Sequence, residues 1–396
     1  MIENILLILL LLIITAKLLG GFFDKIGLEA TLGELLAGLI FGPSILNWIH
    51  AESIEPFAII GSVLILFVAG LKQEHIEEIY ENTHALRLGI GLLILLMIIM
   101  SFFFYHIPQY FGINFDATQA IVLGLAFAII DVGVPAKVLL SKKLMDGPVG
   151  KMTISSAIIN IVLGLSFFTV ITLFMNPLLE ATILKVGGFL LFLGVAFGLV
   201  YFLSKITKFV LKMHIEESEF SLALVLVLAL AYFTEVIGFS SVLGAFIAGV
   251  LVAKMPFADT RSFTDKIKSV SFGLFIPLFF VWFGLEIDLV EIWNNLGLSV
   301  LIFLTYASIR FISTYIYLRK VGLKMSGIIS SSMLCVDVES LVILMIAIQL
   351  GIFTTNLPLI LFAPSVFLGT FFIISLIGIF SKFEIKKKKV KAQIGF

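Results

Sequence analysis

The chain has 396 residues, of which 60% are hydrophobic and 13% are charged, and its mean hydropathy is +1.18. So little polar surface excludes a soluble globular protein and places most of the chain in lipid. The formal net charge is zero, which gives no indication of a nucleic-acid partner.

Apolar runs long enough to cross a bilayer, about 20 residues each, recur along the chain between short polar breaks. Strand-type alternation is absent, so the sequence predicts an all-α integral membrane protein with about thirteen transmembrane helices. The predicted spans, numbered one to thirteen, are residues 4–22, 28–47, 56–71, 86–106, 117–140, 150–175, 181–205, 218–237, 239–254, 268–285, 294–318, 325–350 and 357–381.

Lysine and arginine are distributed very unevenly between the two ends of these spans. With thirteen spans, 24 of the 26 basic residues fall in the tail, in odd-numbered connections or at the span ends beside them. The exceptions are Lys185, on the opposite side, and Arg310, deep inside a span. Because basic residues concentrate on the cytoplasmic side, we predict a multi-pass protein of the cell membrane with its N-terminus outside and its C-terminus in the cytoplasm.

The two halves of the chain resemble each other in three places. The run 32–38 is matched by 243–249, the run 66–71 by 279–285, and 130–132 by 336–338, at offsets of 211, 214 and 206 residues. Span two is matched by span nine, an odd separation, so the repeat is inverted, as in many secondary transporters. We therefore expect a first repeat at 1–180, a linker span and cytoplasmic loop at 181–216, a second repeat at 217–381 and a basic cytoplasmic tail at 382–396.

Four charged residues lie deep within spans, where a charge costs about 3 kcal/mol or more. They are Asp131, Arg310, Asp337 and Glu339. Three acids against one base leave excess negative charge, which favours binding of a proton or a cation at one site. The alternative is a structural ion-pair cluster that only holds the helices together.

Asp131 and Asp337 occupy matching positions of the repeat, in spans five and twelve. Gly133 and Pro135 should interrupt the helix beside Asp131. Span twelve contains no such breaker, so its interruption is expected from the repeat alone. Two crossed, discontinuous helices would then meet at the membrane midplane.

Span six carries a polar group of its own, formed by Ser155, Ser156 and Asn160. Asn160 is a candidate ligand for the ion or the proton, and the two serines are candidate supporting groups. Polar side chains at helical spacing also commonly bind neighbouring helices instead.

The motif at 32–46, LGELLAGLIFGPSIL, resembles the second-helix signature of the monovalent cation:proton antiporter superfamily, in its Kef- and NapA-like branch. The runs 64–72, 237–251 and 275–289 agree with it in the same order. The resemblance implies the NhaA-like antiporter fold, with spans five and twelve crossed. It also implies a homodimer with a mobile core domain that exchanges a cation for protons by alternating access.

The chain departs from this family in span six, where relatives carry Asp-Asp or Asn-Asp. Here Asn160 is followed by Ile161, so the usual aspartate is missing. In span twelve, Asp337 and Glu339 flank a valine where relatives often have Arg-Gly-Glu. We therefore expect Asp131 to bind the transported cation, with Asp337 or Glu339 as second ligand and Arg310 compensating charge. Na⁺ is the default ion and K⁺ is the alternative.

Two other functions are alternatives to exchange. The missing span-six aspartate favours a degenerate homologue that acts as a channel, sensor or subunit. An intramembrane aspartyl protease lacks support, because neither Asp131 nor Asp337 lies in a Gly-x-Gly-Asp or Tyr-Asp motif. Nucleotide loops and catalytic triads are absent from the sequence, so neither an enzyme nor a bound cofactor is expected.

Overall fold

The computed structural model describes residues 4–25, 30–71, 83–131, 135–136, 138–139, 142–144, 147–174, 194, 217–236, 241–255, 257–258, 260–336 and 338–380. Within these ranges the protein is built of helices and their connections, without a strand.

In the part of the chain that the structure describes, six helical segments are long and apolar enough to cross a membrane. Five of them are the helices Ile5–Lys25, Thr83–His106, Pro148–Phe174, Leu296–Leu318 and Leu357–Phe380. The sixth, in span ten, consists of Arg261–Val270, a π-helical segment Ser271–Phe275 and Ile276–Glu286.

The remaining helices are shorter, and most of them are strongly apolar. They are Ala30–Phe41, Glu55–Leu71, Ala117–Ala128, Ser218–Val236, Ser241–Ala253, Leu289–Asn294, Leu323–Ser332 and Val338–Gln349, with 3₁₀ turns at Ala51–Ser53, Pro108–Phe111 and Arg319–Val321. Twelve of the thirteen predicted spans coincide with helices of the two sets. Span seven, 181–205, lies outside the described residues except for Gly194. The prediction of an all-α membrane protein is confirmed.

Spans five and twelve are both interrupted, as predicted. In span five the helix Ala117–Ala128 ends in Ile129, whose backbone is extended, with φ −71° and ψ 142°. In span twelve the helices Leu323–Ser332 and Val338–Gln349 are separated by a non-helical stretch that includes Cys335 and Val336. Span twelve is interrupted without a glycine or proline at the break, and the side chain of Arg310 binds two of the carbonyls there, as described below.

The chain divides into two compact units that do not follow the sequence repeats. One unit contains Met1–Gly20, Gly33–Ile76 and Thr169–Leu285, and the other contains Gly21–Leu32, Glu77–Phe168 and Glu286–Phe396. Each unit therefore combines helices from both halves of the sequence. Both interrupted spans, five and twelve, belong to the second unit.

Two glycine contacts in the first unit reveal the inverted repeat. Spans two and ten approach each other closely at two glycines. A Cβ added to Gly38 of span two would lie 2.0 Å from a carbonyl oxygen of span ten, and a Cβ added to Gly284 of span ten would lie 2.1 Å from a carbonyl oxygen of span two. Spans three and nine do the same. A Cβ added to Gly70 of span three would lie 2.3 Å from a carbonyl oxygen of span nine, and a Cβ added to Gly249 of span nine would lie 2.2 Å from a carbonyl oxygen of span three. Gly38 and Gly249 occupy equivalent positions of the two repeats, 211 residues apart, and so do Gly70 and Gly284, 214 residues apart. The contact between spans two and ten is therefore equivalent to the contact between spans nine and three.

The π-helical segment Ser271–Phe275 is stabilised by a charged side chain from span one. In a π-helix the carbonyl of Phe272 would accept from residue 277, but that residue is Pro277 and has no N–H. The ammonium of Lys17 donates to this carbonyl at 2.7 Å. Lys17 in turn lies 3.6 Å from a carboxylate oxygen of Glu34, which is buried in span two.

Candidate ion-binding site

The two interrupted spans meet at a backbone hydrogen bond. The N–H of Asp131 donates to the carbonyl of Cys335 at 3.1 Å. Asp131 is only 4% exposed, and Glu339, in the first turn of Val338–Gln349, is 7% exposed. The structure therefore places two predicted acids in buried positions next to the helix interruptions.

Two other predicted residues at the interruptions cannot be placed. Asp337 and Gly133 lie outside the described residues. Pro135 is described: it is buried and has helical backbone. The helix break beside Asp131 begins after Ala128.

The end of the helix Ala117–Ala128 leaves four carbonyls without intrahelical partners, as every helix end does. All four accept hydrogen bonds from side chains of other helices. Ser340 Oγ donates to Ala126 O at 2.6 Å, Arg310 Nη2 to Phe127 O and Ile129 O at 2.5 and 3.1 Å, and Asn160 Nδ2 to Ala128 O at 3.3 Å. In lipid such groups must be satisfied within the protein, so these donors make the interruption possible.

Arg310 also binds the broken end of span twelve. Its Nη1 donates to the carbonyls of Met333 and Cys335, each at 3.0 Å. The side chain is fully buried, with the guanidinium carbon 5.4 Å from the centroid of the Tyr306 ring. One guanidinium therefore binds four carbonyls of two spans.

This geometry explains the electrostatic role of Arg310. The C-terminal end of a helix carries partial negative charge, and two such ends, after Ala128 and after Ser332, converge on Arg310. The terminal nitrogens of Arg310 thus place positive charge between the helix ends of spans five and twelve.

Asn160 is brought to the same place, and both ends of its amide bind backbone. Its Oδ1 accepts from the N–H of Ile130 at 3.0 Å, and Nδ2 donates to the carbonyls of Ala128 and Gly89, the latter at 3.4 Å. The residue is fully buried. Asn160 therefore holds the stretch that leads into Asp131.

The two serines of span six do not take part in these bonds. The hydroxyl of Ser156 donates to Met152 in its own helix at 2.8 Å, and Ser155 is half-buried. Ile161, at the position where relatives carry aspartate, is 4% exposed. Span six thus contributes an amide and an apolar side chain here, while Asp131 and Glu339 supply carboxylates from spans five and twelve.

Because the carbonyls at the end of Ala117–Ala128 already accept hydrogen bonds, carboxylates are the groups best suited to neutralise an incoming cation. Carboxylate oxygens bind hard cations and protons alike. The sequence interpretation did not include Ser340, although it follows Glu339 directly. Its only signal was a hydroxyl within a buried span, which also describes many serines that bind their own helix.

Comparison with known proteins agrees with this architecture. Residues 7–382 match the family model described as sodium/hydrogen exchanger, transmembrane. The chain is 25% identical over 329 residues to the probable Na⁺/H⁺ antiporter GerT of Bacillus cereus, covering 81% of this chain and 84% of that protein. It is also 25% identical to the Na⁺/H⁺-K⁺ antiporter GerN of Bacillus cereus, covering 74% of this chain and 76% of GerN.

A solved structure has the same fold. The sodium proton antiporter MjNhaP1 of Methanocaldococcus jannaschii superposes with a TM-score of 0.62 over 95% of each chain, at 20% sequence identity. The family match covers nearly the whole sequence, including the interrupted spans and both compact units. The chain therefore belongs to the transmembrane sodium/hydrogen exchanger family.

Proposed function

We propose that this protein is a secondary active transporter that exchanges a monovalent cation for protons by alternating access. The observation that carries the proposal is the crossing of two interrupted spans, with Asp131 and Glu339 buried beside it. Buried carboxylates are costly in a membrane unless they bind a proton or a cation. Competition between the two ions for one carboxylate couples their movements.

Within this proposal Asp131 is the carrier, and Asp337 or Glu339 is the second ligand. Arg310 and Asn160 hold the broken helix ends in place, as their hydrogen bonds to the backbone indicate. Asn160 was also expected to bind the ion. That role stays a prediction. Comparison of Asn160→Ala with Asn160→Asp distinguishes a residue that binds the ion from one that only binds the backbone.

The direct test uses purified protein in liposomes that contain a pH-sensitive dye. With an acidic lumen, external Na⁺, K⁺ or Li⁺ is added and the luminal pH is followed. Exchange predicts alkalinisation that depends on the cation, saturates with its concentration and names the ion. Na⁺ is the expected substrate, and the name of GerN makes K⁺ the second ion to test.

A second candidate function keeps the fold without exchange, and Ile161 is the observation that favours it. A homologue without the span-six carboxylate would act as a channel, sensor or subunit. No response to any of the three cations between pH 6 and 9 would support it. Gain of exchange in Ile161→Asp would then identify the missing carboxylate as the cause.

We further propose the cell membrane as its location, with the N-terminus outside and the C-terminus in the cytoplasm. The orientation rests on the distribution of basic residues. Exposed aromatic residues mark the ends of the spans on one side: Trp48, Tyr110 and Trp293 lie in connections on the predicted outer side, at 46%, 80% and 76% exposure. Such residues collect at membrane interfaces. The homodimer and the repeat boundaries at 180, 216 and 381 remain predictions, and light scattering of the purified protein checks the dimer.

A further inference from the structure

Ser340 forms a hydrogen bond that sets it apart from the other serines of span twelve. It lies in the first turn of Val338–Gln349, is 1% exposed, and donates to Ala126 O in span five at 2.6 Å. By contrast, Ser326, Ser331 and Ser332 each donate to the carbonyl four residues earlier in their own helix. That local bond is the usual use of a serine hydroxyl inside a membrane helix.

The position of Ser340 gives its bond a consequence for the site. Ser340 is the residue after Glu339, so any rotation of this first helical turn moves both side chains. Its acceptor, Ala126, lies five residues before Asp131 and is the first of the four free carbonyls at the helix end. The bond therefore joins the turn that carries Glu339 to the segment that leads to Asp131.

Arg310 and Asn160 do not hold this turn. Arg310 binds span twelve at Met333, directly after the first helix, and at Cys335, within the interruption, and Asn160 binds spans four and five. A second bond between span five and the segment after span twelve runs from Gln119 Nε2 to the carbonyl of Ile352, three residues after Val338–Gln349 ends, at 2.8 Å and far from the crossing. Ser340 thus provides a side-chain hydrogen bond between these two helices at the end nearest the crossing.

We propose that Ser340 is a positioning residue for cation exchange: its hydroxyl sets the rotation and height of the turn that carries Glu339 relative to Asp131. The proposal rests on the exchange function proposed above. Without the hydroxyl, Ala126 O loses its donor in a buried site, and the turn is free to shift toward another partner. Cation binding would then weaken even though no carboxylate has been removed.

The test compares Ser340→Ala, Ser340→Thr and Ser340→Cys with the control Ser331→Ala in the liposome assay. Ser331 is buried in the same span and bonds only its own helix. We expect Ser340→Ala to raise the KM for the cation by about five- to tenfold, the effect typical of one hydrogen bond, with a smaller change in maximal rate. Ser340→Thr should restore the KM, and Ser340→Cys, a weaker donor, should fall between.

A second readout does not depend on transport. The cation should raise the melting temperature of the wild type and of Ser331→Ala, and raise that of Ser340→Ala much less at equal concentration. An unchanged KM and an unchanged cation-dependent melting shift in Ser340→Ala would overturn the proposal, even if the variant melts lower overall. If the wild type shows neither exchange nor a cation-dependent shift, the proposed function fails as well.

Discussion

At the residue scale, the geometry of Arg310 depends on the shape of its side chain. A guanidinium presents its donors in a planar fork, whereas a lysine ammonium is a compact charge with three donors. Four carbonyls of two spans surround Arg310 at 2.5–3.1 Å. A single ammonium cannot reach all of them.

Arg310→Lys should therefore lower the melting temperature, and Arg310→Met should lower it further because all four carbonyls lose their donor. The cost expected for each buried group left unsatisfied is about 1–3 kcal/mol. Cys335 is the single cysteine of the chain and is buried at the crossing. A thiol-reactive dye therefore reports directly when this part of the protein opens. An Arg310→Lys variant with the melting temperature of the wild type would contradict the role assigned to the planar guanidinium.

Asp131→Asn should abolish exchange while the protein still folds, because the amide keeps the shape of the side chain but cannot bind a proton or neutralise a cation. The liposome assay and the dye melt measure the two effects separately. Glu52→Gln, at an exposed carboxylate in a connection, is the matched control and should exchange normally. Exchange that persists in Asp131→Asn would show that another group is the carrier.

At the element scale, close approach of helices in the first unit depends on residues without a side chain. Gly38 and Gly249 are images of each other in the repeat, and each lies against a backbone carbonyl that a Cβ would reach at 2.0 and 2.2 Å. Small residues permit such contacts between membrane helices. Equivalent glycine contacts therefore join span two to span ten and span nine to span three in this unit.

Gly38→Ala and Gly249→Ala should each destabilise the protein, since backbone rather than a flexible side chain would have to move, by about 1–3 kcal/mol for overpacking. Gly91→Ala is the control, because a Cβ there would meet no atom within 4 Å. That variant should be neutral or slightly stabilising, as alanine favours the helix. Thermal melting in detergent ranks the three, and equal melting temperatures would refute the close contacts.

The link between Lys17 and the π-helical segment gives a further prediction for this unit. Lys17→Met removes the donor from Phe272 O, so amide exchange in Ser271–Phe275 should become faster, and the melting temperature should fall. Lys17→Arg keeps a donor and should protect the segment. Hydrogen–deuterium exchange measures this, with Lys25→Met, at the end of the same helix, as the control. Unchanged exchange in Lys17→Met would mean that the π-helix is stable without the ammonium.

At the scale of the whole molecule, the distribution of basic residues predicts which ends of the helices face each side. A cysteine introduced at Trp293 should react with an impermeant maleimide added outside intact cells, because residue 293 lies in a predicted outer connection. A cysteine at Lys320 should react only after the membrane is opened. Cys335 is buried and should give little background. If residue 320 is labelled from outside and residue 293 only after the membrane is opened, the predicted topology is wrong and the protein lies in the membrane the other way round.

The sequence by itself determined the class of protein and which charged residues lie within its membrane spans. Hydropathy predicted the spans, because a helix in lipid must be apolar over its full length. The offsets of the short repeats predicted that Asp131 would meet span twelve, and the antiporter motif predicted the family. Buried charge in a membrane is rare enough that Asp131, Arg310 and Glu339 were visible without a structure.

Only the tertiary structure decided which partners these residues have. Arg310 binds carbonyls of spans five and twelve, Asn160 binds the backbone before Asp131, and Ser340 reaches Ala126. These bonds join residues up to 214 positions apart, and their acceptors are backbone carbonyls, which every residue has and which leave no mark in the sequence. Which carbonyls are left without an intrahelical partner depends on where a helix stops, and in span twelve two carbonyls at the break accept from Arg310 of span eleven.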